Sequence, residues 1–526
     1  MKNVDTLEKR NKLIEEELLK YEAEERKKLN INRNKVNQWV KPTDEAFFAY
    51  QTKSTTVLHG GLTRISDYFV QGALEGLGYK ALSLEIPDNE AFRFGKEYCN
   101  KGLCNPAYFT IGNLIKFLTK LRDKDKMSVE EIKQKYVFLT AGSKGPCRFG
   151  MYEAEYQKAL TDSGFDGFRI VTFQQRVELT DERSRPGLEL NIKFYFVLIK
   201  AVMFADILNT LGYRIRPYEI NKGETNAVLE ECKEIIYQTL KQRKWYFPAL
   251  LKVKKKFAKI KVNFLDPKPV VEIIGEFWAM TTEGDGNYGM QKWLENEGAE
   301  VKAQKVITWI QYIIYEAESW FSKRFILKEK DEKGLKSFDN PKRIFRLVKL
   351  AKKIIHFYYY VYSWLAGLRH EKLPDMQDIA DYAAPYYNTN LSGGEGHMEV
   401  GKFIKAAKTN EAHMLLSIKP FGCMPSAGVS DGVQSRVQEL YPNLIFYPIE
   451  TTGDNAINIY SRVQMMLFKA KKLAKEEFEG TLKELNTSYE ELSKKYKENK
   501  NTNNPLYMPK HRKISRAANI IYDLKR

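Results

Sequence analysis

Cysteine and histidine are scarce in this chain, five and six among 526 residues. So thin a supply excludes a disulfide framework, because a chain of this length buries a core without staples and cytosolic thiols stay reduced. Long hydrophobic runs are scarce too. The most apolar stretch, "IIHFYYYVYSWLAGL" from Ile354 to Leu368, is aromatic rather than aliphatic and shorter than the roughly 20 residues that cross a bilayer. It reads as a buried helix, and no membrane partner is expected. The opening "MKNVDTLEKRNKLIEEELLKYEAEERKKLN" has no apolar leader and alternates charge as a solvated helix does, so a cytoplasmic location is expected. A Gly-x-x-x-x-Gly-Lys-Ser/Thr phosphate loop is missing as well.

Charge and apolar residues are plentiful. Hydrophobic residues make up 43% of the chain, enough for more than one core and, at roughly 100 to 200 residues per domain, for about three domains. Lys and Arg outnumber Asp and Glu by 85 to 67, a net charge of +18. The excess lies in separate runs, "KVKKKFAKIK" (Lys252 to Lys261), "PKRIFRLVKLAKKI" (Pro341 to Ile354) and "MPKHRKISR" (Met508 to Arg516). No single basic face emerges from them, so nucleic acid is not an expected partner.

Four segments share one order: a β-branched or aromatic run, a Gly-rich loop, a helical pattern, then a second run. They are Thr55 to Asp88, Lys135 to Phe173, Val270 to Lys302 and His413 to Glu450. Such alternation predicts an α/β protein with two or more Rossmann-like parallel-sheet lobes. Helical stretches at residues 190–260 and 303–385 read as insertions. The expected organisation is a charged helical arm (1–50), a first lobe with a helical insertion (51–266), a second lobe with its own insertion (267–468) and a charged helical tail (469–526).

The cysteines fall at particular places on that scaffold. Cys147 lies in "GSKGPCRFG" after the strand "YVFLTAG", and Cys423 in "KPFGCMPSAG" after the strand "HMLLSIKP". Cys99 and Cys104 share the turn "YCNKGLCNP" before a helix. Loops at the carboxyl ends of parallel strands converge on one crevice, and a helix N-terminus favours the thiolate that metals bind. Neighbouring glycines admit the backbone N–H groups that cluster sulfides accept from. Thiolates dispersed through a domain that has its own core suit a 4Fe-4S cluster better than structural zinc, whose ligands are usually clustered. Cys99, Cys104, Cys147 and Cys423 are the expected ligands, with three binding iron and one corner left open as a variant. Cys232, in the helical "AVLEECKEIIYQTL", reads as a buried apolar residue.

The stretches "GKEYCNKGLCNPAYFTIGNL", "YVFLTAGSKGPCRFGMYEAEYQKAL", "GEFWAMTTEGDGNYGMQKWLENEGAEV", "GGEGHMEVGK" and "KPFGCMPSAGVSDGVQSRV" resemble the acyl-CoA dehydratase activase-related proteins. They also resemble the cysteine-bearing half of the fused CoA-substrate-specific enzyme activases, over about residues 55 to 465. More distantly they are similar to the cluster subunits of 2-hydroxyacyl-CoA dehydratases, benzoyl-CoA reductases and double-cubane cluster proteins. The resemblance implies an iron-sulfur protein of anaerobic metabolism, an oxidoreductase or dehydratase-like component. Its implied partner is a separate ATPase of actin-like fold, carrying its own 4Fe-4S cluster, that drives electron transfer with ATP. A CoA thioester or other small molecule is the implied substrate. A double-cubane cluster asks for six cysteines per site in those relatives. Five are present, so a single cubane fits better unless a homodimer or a non-cysteine ligand contributes.

Two Gly-rich loops offer further polar candidates. "TTEGDGNYG" carries Glu283, Asp285 and Asn287, and "GGEGHMEVG" carries Glu395 and His397. Glu283 and His397 are the expected proton donors in a substrate cleft, against the alternative that these residues only make turns and caps. His59 in "LHGGLTR" suits a cap or phosphate contact and plain turn chemistry equally, and His356 reads as a packed core histidine. Three functions follow. The chain is the electron-accepting, cluster-bearing component of an ATP-driven system, or a genuine 2-hydroxyacyl-CoA dehydratase or acyl-CoA reductase subunit, or a non-catalytic protein with a structural metal.

Overall fold

The computed structural model describes residues 47–142, 145, 147–173, 185–330 and 341–525, with scattered helical positions between 14 and 28. Met1–Thr43 and Asp44–Arg526 form separate compact units. Most of the expected N-terminal arm, and Pro146 beside Cys147, lie outside the described residues.

Each of the four strand–loop–helix segments contributes two strands, and all eight strands pair in parallel. In the first lobe β1 (Thr56–His59), β2 (Lys80–Ser83), β3 (Tyr136–Thr140) and β4 (Ile170–Thr172) form a sheet in the order β2-β1-β3-β4. In the second, β5 (Val270–Gly275), β6 (Glu300–Lys302), β7 (Met414–Pro420) and β8 (Ile445–Thr451) repeat that order as β6-β5-β7-β8. Helices cover the sheets, and β7 is buried at every position, as a central parallel strand must be. The α/β architecture with two Rossmann-like lobes is therefore as expected.

The helical insertions frame the lobes. Helix Ile192–Ile215 is long and apolar enough to cross a membrane, yet Ala201 to Leu208 are buried without a break inside the protein. Asp206 in that run accepts from Val306 N and Ile307 N, at 2.9 and 2.8 Å, and so caps the helix Val306–Lys330. Two expectations change. The aromatic run Ile354–Leu368 falls mostly within helix Pro341–Ala366, which buries Tyr359 and Tyr362 but exposes Phe357, Tyr360 and Trp364. The C-terminal tail is no solvated arm: helix Arg516–Leu524 places Ala517, Ile520, Ile521 and Leu524 in the largest core, at the i, i+3, i+4, i+7 spacing of one helical face.

Glycines set the crossing that positions the first cysteine turn. Helices Asn89–Tyr98 and Asn105–Asp123 meet so closely that a Cβ on Gly112 would stand 1.9 Å from the carbonyl oxygen of Ala91. One on Gly95 would stand 2.0 Å from that of Tyr108. Only residues without a side chain permit that approach. Cys99 ends the first of these helices and Cys104 begins the second.

Candidate metal centre

Loops from both lobes interlock at the carboxyl ends of the two sheets. Asn105 N donates to the Phe421 carbonyl at 3.1 Å and Asn105 Nδ2 to that of Thr451 at 2.5 Å, tying the first-lobe helix to the ends of β7 and β8. Gly422, with φ +78°, lies so near that a Cβ there would be 3.2 Å from Cys104 Cα. A Cβ on Gly145 would be 2.6 Å from the Ser392 carbonyl oxygen, which seats the Cys147 loop against the turn preceding Glu395. Arg148 closes the ring by donating to the Gly102 carbonyl.

Three thiols lie within the electrostatic reach of one carboxyl group. Cys104, Cys147 and Cys423 each feel the charge of Glu276, and Cys147 also feels Cys104 and Glu395. Glu276 follows β5 directly, where it accepts from Ala279 N at 2.8 Å and starts the helix Phe277–Thr281. Burial, with repulsion from Glu399 at Glu276 and from Glu276 and Glu316 at Glu395, holds the Glu276 and Glu395 carboxyls above the ordinary carboxylate range. Burial also pushes the Cys147 thiol up to about 12 and raises those of Cys104 and Cys423. The thiols therefore hold their protons until a metal displaces them.

Each thiol has its own support. Cys104 occupies the N-cap of the 19-residue helix Asn105–Asp123 without making a capping bond, and its Sγ meets the Tyr152 hydroxyl at 3.0 Å. Cys423 Sγ lies 3.4 Å from Ser426 Oγ, and that hydroxyl donates to Glu399 at 2.6 Å. Cys147 is half-buried, while Cys104 and Cys423 are buried.

Other expected site residues stand elsewhere. Burial pushes the Cys99 thiol up to about 12, and its charged neighbours are Glu155 and Lys158 rather than Glu276. Glu155 is itself engaged by Asn100 N at 2.6 Å and Asn100 Nδ2 at 2.9 Å. Glu283 accepts from Arg64 N at 2.8 Å, and Asp285 from Asn89 N at 2.8 Å, so both join the lobes rather than face the thiols. Asn287 is fully buried and holds its own turn through the carbonyls of Ala279 and Thr282. His397 is buried between the rings of Tyr312 and Tyr315, with centroids 5.2 and 5.3 Å away, and neither of its nitrogens has a partner. Burial lowers its pKa to about 4, which leaves it without the proton a general acid needs at neutral pH. At His59 the loop N–H groups of Gly61 and Leu62 are taken by Asp67 instead of a phosphate. His356 is only half-buried and meets Gln311 Oε1 at 2.9 Å, while Cys232 lies in the core as expected.

Glu276, Tyr152 and the Ser426–Glu399 pair were absent from the sequence reading. Glu276 was within reach, since the rule that points to Cys147 and Cys423, residues of loops that leave the carboxyl ends of parallel strands, applies equally to "VVEIIGE". Among the described residues no three His, Cys, Asp or Glu side chains stand in a ready-made metal-binding arrangement. In kind and placement the donors nevertheless suit a cluster. Two buried thiols and a half-buried one, all outside any disulfide, sit on loops of two lobes with Gly422 packed against Cys104, and thiolates are the ligands that iron-sulfur clusters take. Cys99 shares the first-lobe core cluster with Cys104, but its charged neighbours are Glu155 and Lys158. No family model matches the chain, and no curated protein matches it in sequence.

Proposed function

We propose that the protein is the electron-accepting iron-sulfur component of an ATP-dependent reductase system related to 2-hydroxyacyl-CoA dehydratases. Cys104, Cys147 and Cys423 hold a 4Fe-4S cluster whose fourth iron is open. The observation that carries this reading is the interlocking of the three cysteine loops from two lobes, with Gly422 packed against Cys104, Phe421 hydrogen-bonded to Asn105, and Arg148 hydrogen-bonded to Gly102. When bound, the cluster supplies one-electron reduction at low potential. The chain's own residues do the rest. Tyr152 orients Cys104 through their 3.0 Å contact, and Ser426 stands between Cys423 and the buried Glu399. Glu276 and Glu395, both held toward the protonated form by burial, can donate protons to a substrate bound beside the thiols. The electron donor is a separate ATPase of actin-like fold with its own cluster.

The paired carboxyls favour a second reading, a genuine 2-hydroxyacyl-CoA dehydratase or acyl-CoA reductase subunit, since elimination of water needs an acid at the leaving hydroxyl. Anaerobic reduction assays separate the two. Electron-paramagnetic-resonance spectra recorded with the ATPase, with and without ATP, are expected to show a reduced cluster only when ATP is hydrolysed. Full reduction without ATP overturns the first reading. Calorimetric binding of CoA thioesters favours the second.

A further inference from the structure

Two basic runs that are far apart in sequence come together in the fold. Helices Tyr246–Phe257 and Pro341–Ala366 pack against each other. Segment 245–261 holds six Lys, helix Pro341–Ala366 holds six Lys or Arg, and neither has a single Asp or Glu. The surface they share is also apolar. Leu347, Leu350, Ile354, Phe357, Tyr360 and Trp364 follow one another at intervals of three or four residues, so they form one stripe, and each is 38% to 63% exposed. On the other helix Trp245 is 80% exposed, with Phe247 and Leu251 exposed beside it. The two halves are continuous: the Phe247 and Tyr362 rings lie 6.5 Å apart, and the Lys254 ammonium stands 6.0 Å from the centroid of Trp364.

An apolar stripe left in water forgoes the stabilisation that burying its large side chains would provide, so such a patch marks a contact surface. Its chemistry selects the occupant. A second copy of this chain would set twelve cations against twelve, which disfavours self-association. Nucleic acid answers the cations and the aromatic rings but gives Leu251, Leu347, Leu350 and Ile354 nothing to enter. An anionic bilayer answers both: its phosphates meet the Lys and Arg heads while the apolar side chains reach the acyl boundary. We propose that this face docks the protein onto a membrane surface rich in anionic phospholipid. The protein lies on that surface without spanning it.

Lys256 is held by Glu231 and Lys352 by Asp375 at 2.9 Å, so the test uses others. The full-length protein, purified without oxygen, is floated with vesicles of phosphatidylcholine alone and with vesicles containing phosphatidylglycerol. Co-flotation with the anionic vesicles only, lost in high salt, is expected. Phe357→Ser combined with Trp364→Ser abolishes it, and Lys252→Ala and Lys255→Ala each weaken it roughly five-fold. All four side chains are exposed, so unchanged thermal unfolding serves as the folding control. Four results would each overturn the proposal: no binding to anionic vesicles, equal binding to neutral ones, undiminished binding by the serine variant, or salt-sensitive capture of nucleic acid without vesicle binding. A dimer that the serine substitutions dissociate does so as well.

Discussion

The two lobes are the same device with different end groups. Both sheets run outer strand, first strand, third strand, fourth strand, and both place a helical connection between the second and third strands. In the first lobe that connection brings helix Asn89–Tyr98 against Asn105–Asp123 through Gly112, and the second helix opens at Cys104. In the second, helix Met376–Ala383 meets Gly396–Thr409 through Gly401, whose Cβ would lie 2.1 Å from the Ile379 carbonyl oxygen, and that helix opens at Glu395. Cys147 after β3 corresponds to Cys423 after β7, and His59 at the end of β1 to Glu276 just after β5. Equivalent positions thus give two thiols and a neutral imidazole on one side, one thiol and two carboxyls on the other. One lobe offers chiefly soft metal ligands and the other chiefly groups that can carry protons.

The largest expected effect removes that shared geometry. Gly112→Ala or Gly401→Ala forces a methyl group into a backbone carbonyl, and each is predicted to cost about 3 kcal/mol in chemical denaturation. If the lobes are equivalent the two losses are alike. A tolerated Gly401→Ala beside a damaging Gly112→Ala would break the comparison.

Next comes His397 in the second lobe, which burial leaves with no proton to give. Its folded pKa of about 4 lies below the value near 6.5 of an unfolded chain. The unfolded state therefore takes up the proton first, and stability drains as pH falls from 6.5 toward 4, by up to about 3 kcal/mol, with no contribution above 6.5. His397→Phe is predicted to remove this slope and to leave activity at neutral pH in place. Denaturant midpoints from pH 4 to 8 measure the first, and steady-state rates the second. Lost activity with the slope unchanged would restore His397 as the acid. A smaller effect is expected at Tyr152→Phe: removing a hydroxyl from Cys104 should make any bound cluster harder to reduce, read as a more negative midpoint in a redox titration.

The lobes were legible in the sequence because parallel strands buried on both faces read as short β-branched runs, and Gly-rich loops mark their carboxyl ends. The same rule led to Cys147 and Cys423. It did not distinguish Cys99 from Cys104, which share one core cluster and differ in their charged neighbours, Glu155 and Lys158 for the first and Glu276 and Arg148 for the second, and spacing alone cannot show that. Glu283 and Asp285 misled for a related reason. Their loop does lie at a strand end, but the first lobe's helix N-termini claim both carboxylates. The basic runs read as scattered because only the packing of two distant helices joins them.

The account rests on three thiols, not four, and metal analysis of single variants tests it most directly. Iron and sulfide are quantified on anaerobically purified protein and on Cys99→Ala, Cys104→Ala, Cys147→Ala and Cys423→Ala, with Cys232→Ala as a control. About four irons and four sulfides per chain, retained in Cys99→Ala and Cys232→Ala and lost in the other three, is the predicted result. Stoichiometric zinc, or iron that survives Cys147→Ala and Cys423→Ala, would contradict it.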